Sequence, residues 1–152
     1  DPRKTSYEFS TAASLVTRAW ATDSPTARRP FGEGSHTRLT DIKDGTSNTC
    51  AMAEATFEVY NGTRSAWAYR DWVHTGVNIA ATQINSWYYS SAPTATIPGR
   101  LGSWERAGST HTGGMHILLC DGSVRFLGEN TDISTVLTRL SLMSDGAVLG
   151  EF

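Results

Sequence analysis

The stretch from Ser109 to Leu127, STHTGGMHILLCDGSVRFL, constrains the fold of this chain more than any other part of it. Two apolar runs, Met115 to Cys120 and Val124 to Leu127, flank the pair Asp121-Gly122. Asp-Gly between strand-like runs is the strongest short-range sign of a β-hairpin, because both central positions of a type I′ turn need positive φ, which Gly adopts freely and Asp tolerates. The pattern predicts a tight antiparallel hairpin turning at Asp121 and Gly122. Upstream, His111 and Thr112 lead into Gly113-Gly114, so the first strand is entered through a loop whose backbone can bend sharply or approach a neighbour closely. That loop is where side chains are expected to do something other than pack.

The chain has 152 residues, enough for one core that buries about two-thirds of the unfolded surface, and too few for a second independent core. Residues 1–152 therefore read as one globular domain, with 1–39 a mostly irregular lead-in and 40–152 the patterned core. The formal net charge is -2, and the 11 Arg and 2 Lys are scattered except for Arg28-Arg29. That distribution carries no electrostatic footprint for nucleic acid or an anionic membrane surface. No apolar run approaches the roughly 18 residues that span a bilayer, and Asp1-Pro2-Arg3-Lys4 does not open a signal-peptide core. Cys50 and Cys120 each lie in an apolar run, outside any C-x-x-C or Cys/His pattern; they read either as a buried disulfide or as two small core thiols.

The lead-in is rich in Ser, Thr, Ala, Arg and Pro, with apolar patches at Tyr7 to Phe9 and Leu15 to Trp20, and predicts loops with one short strand or helical turn. Thr40 to Thr49, TDIKDGTSNT, is dense in side chains that bond their own backbone; its first half predicts a one-turn helix stopped by Gly45. It delivers the chain into a strand over Cys50 to Val59, whose alternation is imperfect. Asn85 to Pro98 reads as loop. Beyond the hairpin, Ile133, Val136, Leu137, Leu140 and Met143 recur at three- and four-residue intervals, which predicts an amphipathic helix from about Asp132 to Met143, capped by Asn130 or Thr131 and stopped by Gly146. Ala147 to Leu149 reads as a last short strand. The expected class is α+β: a small antiparallel sheet with an Asp-Gly hairpin, one C-terminal amphipathic helix and long irregular loops.

Between Asn61 and Trp104 lies an aromatic-rich middle. Trp67, Trp72, Trp87, Tyr88 and Trp104 could form a stacking surface for a sugar or other solute, since flat rings bury area at low entropic cost. The plainer reading is core, because no acidic or amide pair is spaced to orient a sugar.

Each chemical candidate has a structural counterpart. His111, His116 and Asp121 have the residue types of a metal site, but strand alternation does not give them a common face, and the favoured role for His111 is a ring bonded to the Asp44 to Thr49 loop, with no metal. Asp121 is accounted for as a turn residue. Asp41, Asp44 and Asn48 could offer oxygen ligands to calcium, although their spacing is not that of an EF-hand. Ser47, Ser109 and Ser123 lack a nucleophile elbow or an orienting acid beside His111, so hydrolase chemistry has no support. The chain reads as a non-enzyme without a cofactor. The two turn-rich loops, one before each strand, are expected to pack together, with His111 or Asn48 bonding across.

The same residues carry a family resemblance. His111, nine intervening residues, then Asp121-Gly122-Ser123-Val124-Arg125-Phe126 resembles the C-terminal H-x9-DG signature of a large bacterial prepilin-like family related to type IV pilins and pseudopilins. Leu39 to Thr49, containing Asp44-Gly45-Thr46-Ser47-Asn48-Thr49 and followed by Glu54, is similar to that family's upstream block. The motif residues this marks are Asp44, Gly45, Ser47, Asn48, Glu54, His111, Gly113, Gly114, Asp121 and Gly122. Two blocks in the right order make coincidence improbable. The resemblance covers the later half of the family pattern and implies that a leader, a long apolar helix and a first globular half lie outside this chain. Departures are Gly146-Ala147-Val148 where the family tends to close with Gly-Gly-Glu, and cysteines at positions 50 and 120 where apolar residues are usual. What it implies is an exported, pilin-like or pseudopilin-like structural subunit of a bacterial cell-envelope or extracellular assembly. Such a subunit acts through contacts with other proteins and not through nucleic acid or membrane; the alternative is extracellular solute or carbohydrate binding by the aromatic middle.

Overall fold

The computed structural model describes residues 5–12, 20–62, 76–89 and 96–152. Seven strands form along these segments: β1 (Tyr7–Ser10), β2 (Cys50–Glu54), β3 (Glu58–Val59), β4 (Gly76–Val77), β5 (Arg100–Leu101), β6 (Gly114–Leu119) and β7 (Val124–Gly128). The main sheet has five strands in the order β4-β1-β2-β6-β7, while β3 and β5 pair as a separate two-stranded ribbon. A π-helical turn, Ile133–Leu137, runs directly into α1 (Thr138–Ser141). The class is α+β, as the hydrophobic periodicities predict. The main sheet is mixed: β1–β2, β2–β6 and β6–β7 are antiparallel and β1–β4 is parallel. Among the described residues no helix is long and apolar enough to cross a membrane.

Alternation along β6 decides where the core lies. Met115, Ile117 and Leu119 point inward and are almost wholly buried, and His116 and Leu118 point outward. Cys50, Ala53, Val77 and Leu127 join the inward set, and Val136, Leu137 and Leu140 of the helical segment close over it. Burying each such Leu, Ile or Met contributes about 1.5–3 kcal/mol. A second, smaller cluster holds Trp20, Ile42 and Met143, with Cys120 packed against it.

The imperfect alternation of β2 has a definite cause. Cys50 pairs with Leu119 and Met52 with Leu118, so Ala51 is an extra residue on β2 and the register shifts there. A bulge of this kind moves one residue to the other face. It turns Cys50 into the core while leaving Met52 and Glu54 on the outer face, and the strand ends at Glu54, with β3 peeling away into the ribbon.

The hairpin forms where the sequence places it, but its turn is not type I′. Gly122 alone has positive φ, +89°. Gly122 N–H bonds to Leu119 O at 3.0 Å and Leu119 N–H to Ser123 O at 2.8 Å, giving a three-residue connection with a glycine bulge. Asp121 instead closes the turn with its side chain: Oδ1 accepts from Ser123 N at 2.8 Å and from Ser123 Oγ at 2.7 Å. Those bonds hold its carboxyl below the usual range.

The helical segment begins one residue later than expected. Its cap is Asp132, whose Oδ1 accepts from Thr135 N at 2.7 Å, from Thr135 Oγ1 and from Ser134 Oγ. It also ends sooner, at Ser141, because Leu142 turns extended. That turn delivers Met143 to the Trp20 cluster and its carbonyl to Lys43 N–H at 2.7 Å. Residues 147–149, expected as a strand, pair with nothing in either sheet. The lead-in supplies β1 together with single 3-10 turns at Trp20–Thr22 and Pro25–Ala27.

Candidate functional site

The antiparallel ladder between β2 and β6 fixes which motif residues meet. It ends at Ala53 opposite Ile117, so one step further Glu54 faces His116, whose N–H has lost its strand partner. The Glu54 side chain replaces that partner: Oε2 accepts from His116 N at 2.7 Å. The same oxygen lies 3.5 Å from His116 Nδ1, and Oε1 lies 3.2 Å from His111 Nε2. The two imidazole rings stand perpendicular with centroids 5.1 Å apart, and Phe126 packs edge-on against His116 at 5.1 Å. Glu54 is on the outer face yet its side chain is only 7% exposed, whereas that of His111 is 54% exposed. Removing a carboxylate from water costs several kcal/mol, offset here by bonds to charged or polarised donors of about 1.5–3 kcal/mol each.

The His111 loop is built to reach Glu54. Ser109 Oγ donates to Gly114 O at 2.8 Å and accepts from His111 N at 3.1 Å, so one hydroxyl closes the loop across its mouth. Asn85 Oδ1 accepts from Ser109 N at 2.8 Å, and Gly108 N–H bonds to Glu54 O at 2.9 Å. Gly113 takes φ +80°, and a Cβ at Gly114 would lie 2.0 Å from Leu127 O. The paired glycines therefore serve a bend and a close backbone approach, the two uses read from the sequence.

The D-G-T-S-N-T block sits at the other end of the same ladder. Thr46 O accepts from Asp121 N at 3.1 Å and Thr49 O from Cys120 N at 2.9 Å, so this block clamps the Asp121-Gly122 turn. Gly45 has φ +97° and opens the 3-10 turn Thr46–Asn48, which contains Ser47. The expected packing of this loop against the His111 loop is overturned. The strands are neighbours, but antiparallel pairing sets the start of β2 beside the end of β6, leaving Asn48 and His111 at opposite ends. Asn48 Nδ2 donates to Asp44 O at 3.0 Å, and the partner of His111 is Glu54.

The calcium candidates Asp41, Asp44 and Asn48 are each engaged in hydrogen bonds to backbone. Asp44 Oδ2 and Oδ1 accept from Asp145 N and Gly146 N at 2.8 and 2.9 Å, and Asp41 Oδ2 accepts from Arg38 N at 2.8 Å. These carboxylates fasten separate backbone segments. The set His111, His116 and Asp121 is corrected too, since Asp121 is at the far end of β6 and its place is taken by Glu54. Ser109 and Ser123 are committed to Gly114 O and Asp121, not to an imidazole.

Of the aromatic surface, Trp67 and Trp72 lie outside the described residues. Trp87 and Trp104 are half-buried and Tyr88 is exposed. The cysteines are free thiols. Burial pushes Cys50 up to about 12 and Cys120 up to about 11.

A groove that sequence reading missed, of about 560 Å³, opens beside Trp20 between the lead-in and the residues after α1; Arg28, His36, Arg38, Asp41, Lys43 and Met143 help line it. The Arg28 guanidinium lies 4.4 Å over the Trp20 ring. Its cations come from scattered positions, Arg28 and Arg38 in the lead-in and Lys43 in the block after it, so no local signal marks it.

The family described as protein of unknown function DUF1559 (SBP_bac_10) matches residues 2–134. Neither the curated proteins nor the solved structures provide a match.

Proposed function

The chain belongs to the DUF1559 (SBP_bac_10) family, and from that premise we propose that it is an exported, pilin-like or pseudopilin-like structural subunit working by protein–protein contact in a cell-envelope or extracellular assembly. The observation that carries this reading is the outer face of the main sheet. Phe9, Met52, Leu118 and Val124 stand side by side across β1, β2, β6 and β7, and the adjacent row runs Tyr7, Glu54, His116 and Phe126, with the polar pair between two rings. The helical segment packs on the opposite face. An antiparallel sheet with one wet face normally alternates polar residues there. Here Val124 is 63% and Phe126 46% exposed, on a strand that ends the sheet order. Exposed apolar side chains on a strand at the end of the sheet order suit partner docking or strand addition.

A photocrosslinking side chain at Val124 in the producing cell is expected to trap a protein partner. One at Leu39, 70% exposed elsewhere, is not. The double variant Val124→Asp, Phe126→Asp should keep its fold and lose the partner. Adducts identical at both sites would count against this face.

The groove beside Trp20 favours a second reading, binding of a small anionic solute. Its volume is within the range of about 300–1,000 Å³ usual for ligand pockets, and Arg28, Arg38 and Lys43 outnumber Asp41 on its walls. A melting-temperature screen against carboxylates, phosphates and sugars separates the readings, because a bound solute stabilises by mass action and a contact subunit responds to none.

A further inference from the structure

Glu54, His111 and His116 each offer one ligand atom, a carboxylate oxygen and two imidazole nitrogens, within 4.8 Å of one another. We propose that Glu54, His111 and His116 form a three-ligand site for a divalent transition ion, zinc foremost, with a fourth position open to water.

The distances favour it. Zinc sits about 2.0–2.2 Å from imidazole nitrogen and carboxylate oxygen, which in a tetrahedron puts neighbouring donors about 3.3–3.5 Å apart. The two Glu54–histidine separations are 3.2 Å from His111 Nε2 to Oε1 and 3.5 Å from His116 Nδ1 to Oε2, of the length of such edges but on the two oxygens of one carboxylate, so the carboxylate either turns to present one oxygen or binds through both. The third edge, between the imidazoles, closes by rotation of the His111 ring, which a side chain 54% exposed permits.

The donor chemistry selects the ion. Two imidazoles and one carboxylate suit zinc and its first-row neighbours, whereas calcium and magnesium demand oxygen ligands throughout. The surroundings supply orientation: Oε2 is fixed by His116 N–H, and the His116 ring by Phe126. A cation here also answers the desolvated Glu54 carboxylate more fully than two hydrogen bonds do. The site joins β2, β6 and the 109–113 loop, so loading it locks the histidine of one signature block to the glutamate that follows the other.

The test titrates zinc chloride into chelator-stripped protein near neutral pH by calorimetry, with cobalt(II) as a spectroscopic probe. One zinc per chain is expected, with a rise in melting temperature, visible cobalt bands, and no response to calcium. Glu54 is buried and its substitution risks the fold, so His111→Ala is the decisive variant. It should retain the wild-type circular dichroism spectrum while zinc affinity falls more than about 10-fold and the cobalt bands disappear. His36→Ala, remote from the site, should bind as wild type. Absence of zinc binding by the parent protein, or stoichiometric binding unchanged in both His111→Ala and His116→Ala, overturns the assignment.

Discussion

Glu54 and His111 are 57 residues apart in sequence, and their side chains meet at 3.2 Å because β2 and β6 run antiparallel in a register that stops one residue short of Glu54. The contact gives the clamp a measurable weight. Glu54→Ala strands the His116 N–H and is expected to lower unfolding free energy by about 1–3 kcal/mol in chelator, where metal plays no part. Glu54→Gln, which keeps an acceptor for that N–H, should lose less. Urea unfolding of both variants reads this, and equal stability of all three proteins would show that the clamp holds nothing.

Gly122 is required by conformation and not by space. Its φ is +89° and nothing lies within 4 Å of a Cβ built there. Gly122→Val should therefore destabilise by at least about 1–2 kcal/mol, the cost of the left-handed region, while Gly122→Asn should retain most of the stability. A thermal melt of each separates strain from a clash, since a clash would penalise both.

Asp44 fastens the segment after α1 through Asp145 N–H and Gly146 N–H. Asp44→Ala is expected to speed amide hydrogen exchange at those two positions while Ile117, in the middle of β6, stays protected. Calcium should leave the melting temperature of the parent protein unchanged. Stabilisation by calcium that disappears in the variant would restore the oxygen-ligand reading.

The Asp132 cap confers a pH dependence whose sign is fixed. Its hydrogen bonds to Thr135 and Ser134 hold the carboxyl at about 2, below the ordinary value of 3.8. A depressed acid stabilises the fold above its unfolded pKa, and that contribution disappears as pH falls from about 4 toward about 2. Asp132→Asn, which keeps an acceptor for Thr135 N–H but cannot titrate, should flatten the melting-temperature profile across that window. Parallel profiles for the two proteins would remove Asp132 from the account.

Neither thiol should be reactive in the native protein. With Cys50 buried and both groups pushed to about 12 and 11, the thiolate fraction at neutral pH is negligible. A disulfide-exchange reagent is expected to modify them slowly in buffer and quickly in denaturant, with two equivalents consumed. Rapid native modification of Cys120 would mean that its packing against the Trp20 cluster opens.

What the sequence determined by itself is what depends on neighbours along the chain. Asp121-Gly122 between apolar runs specified a hairpin, and the spacing of Ile133, Val136, Leu137 and Leu140 specified one buried helical face. The Gly113-Gly114 pair announced a close approach, which a Cβ at Gly114 would block. These features rest on turn sterics and on the periods of helix and strand, which operate within a few residues. The tertiary structure decided everything that needed a register. It added the bulge at Ala51, which sends Cys50 inward and keeps Glu54 out, and it ended the helix at Ser141 so that Met143 could join Trp20 and Ile42. It also paired the D-G-T-S-N-T block with the Asp121-Gly122 turn and Glu54 with the two histidines. A strand's partner and direction are set by the sum of long-range packing, and slipping or reversing the β2–β6 pairing would leave every local signal intact while taking Glu54 away from His111.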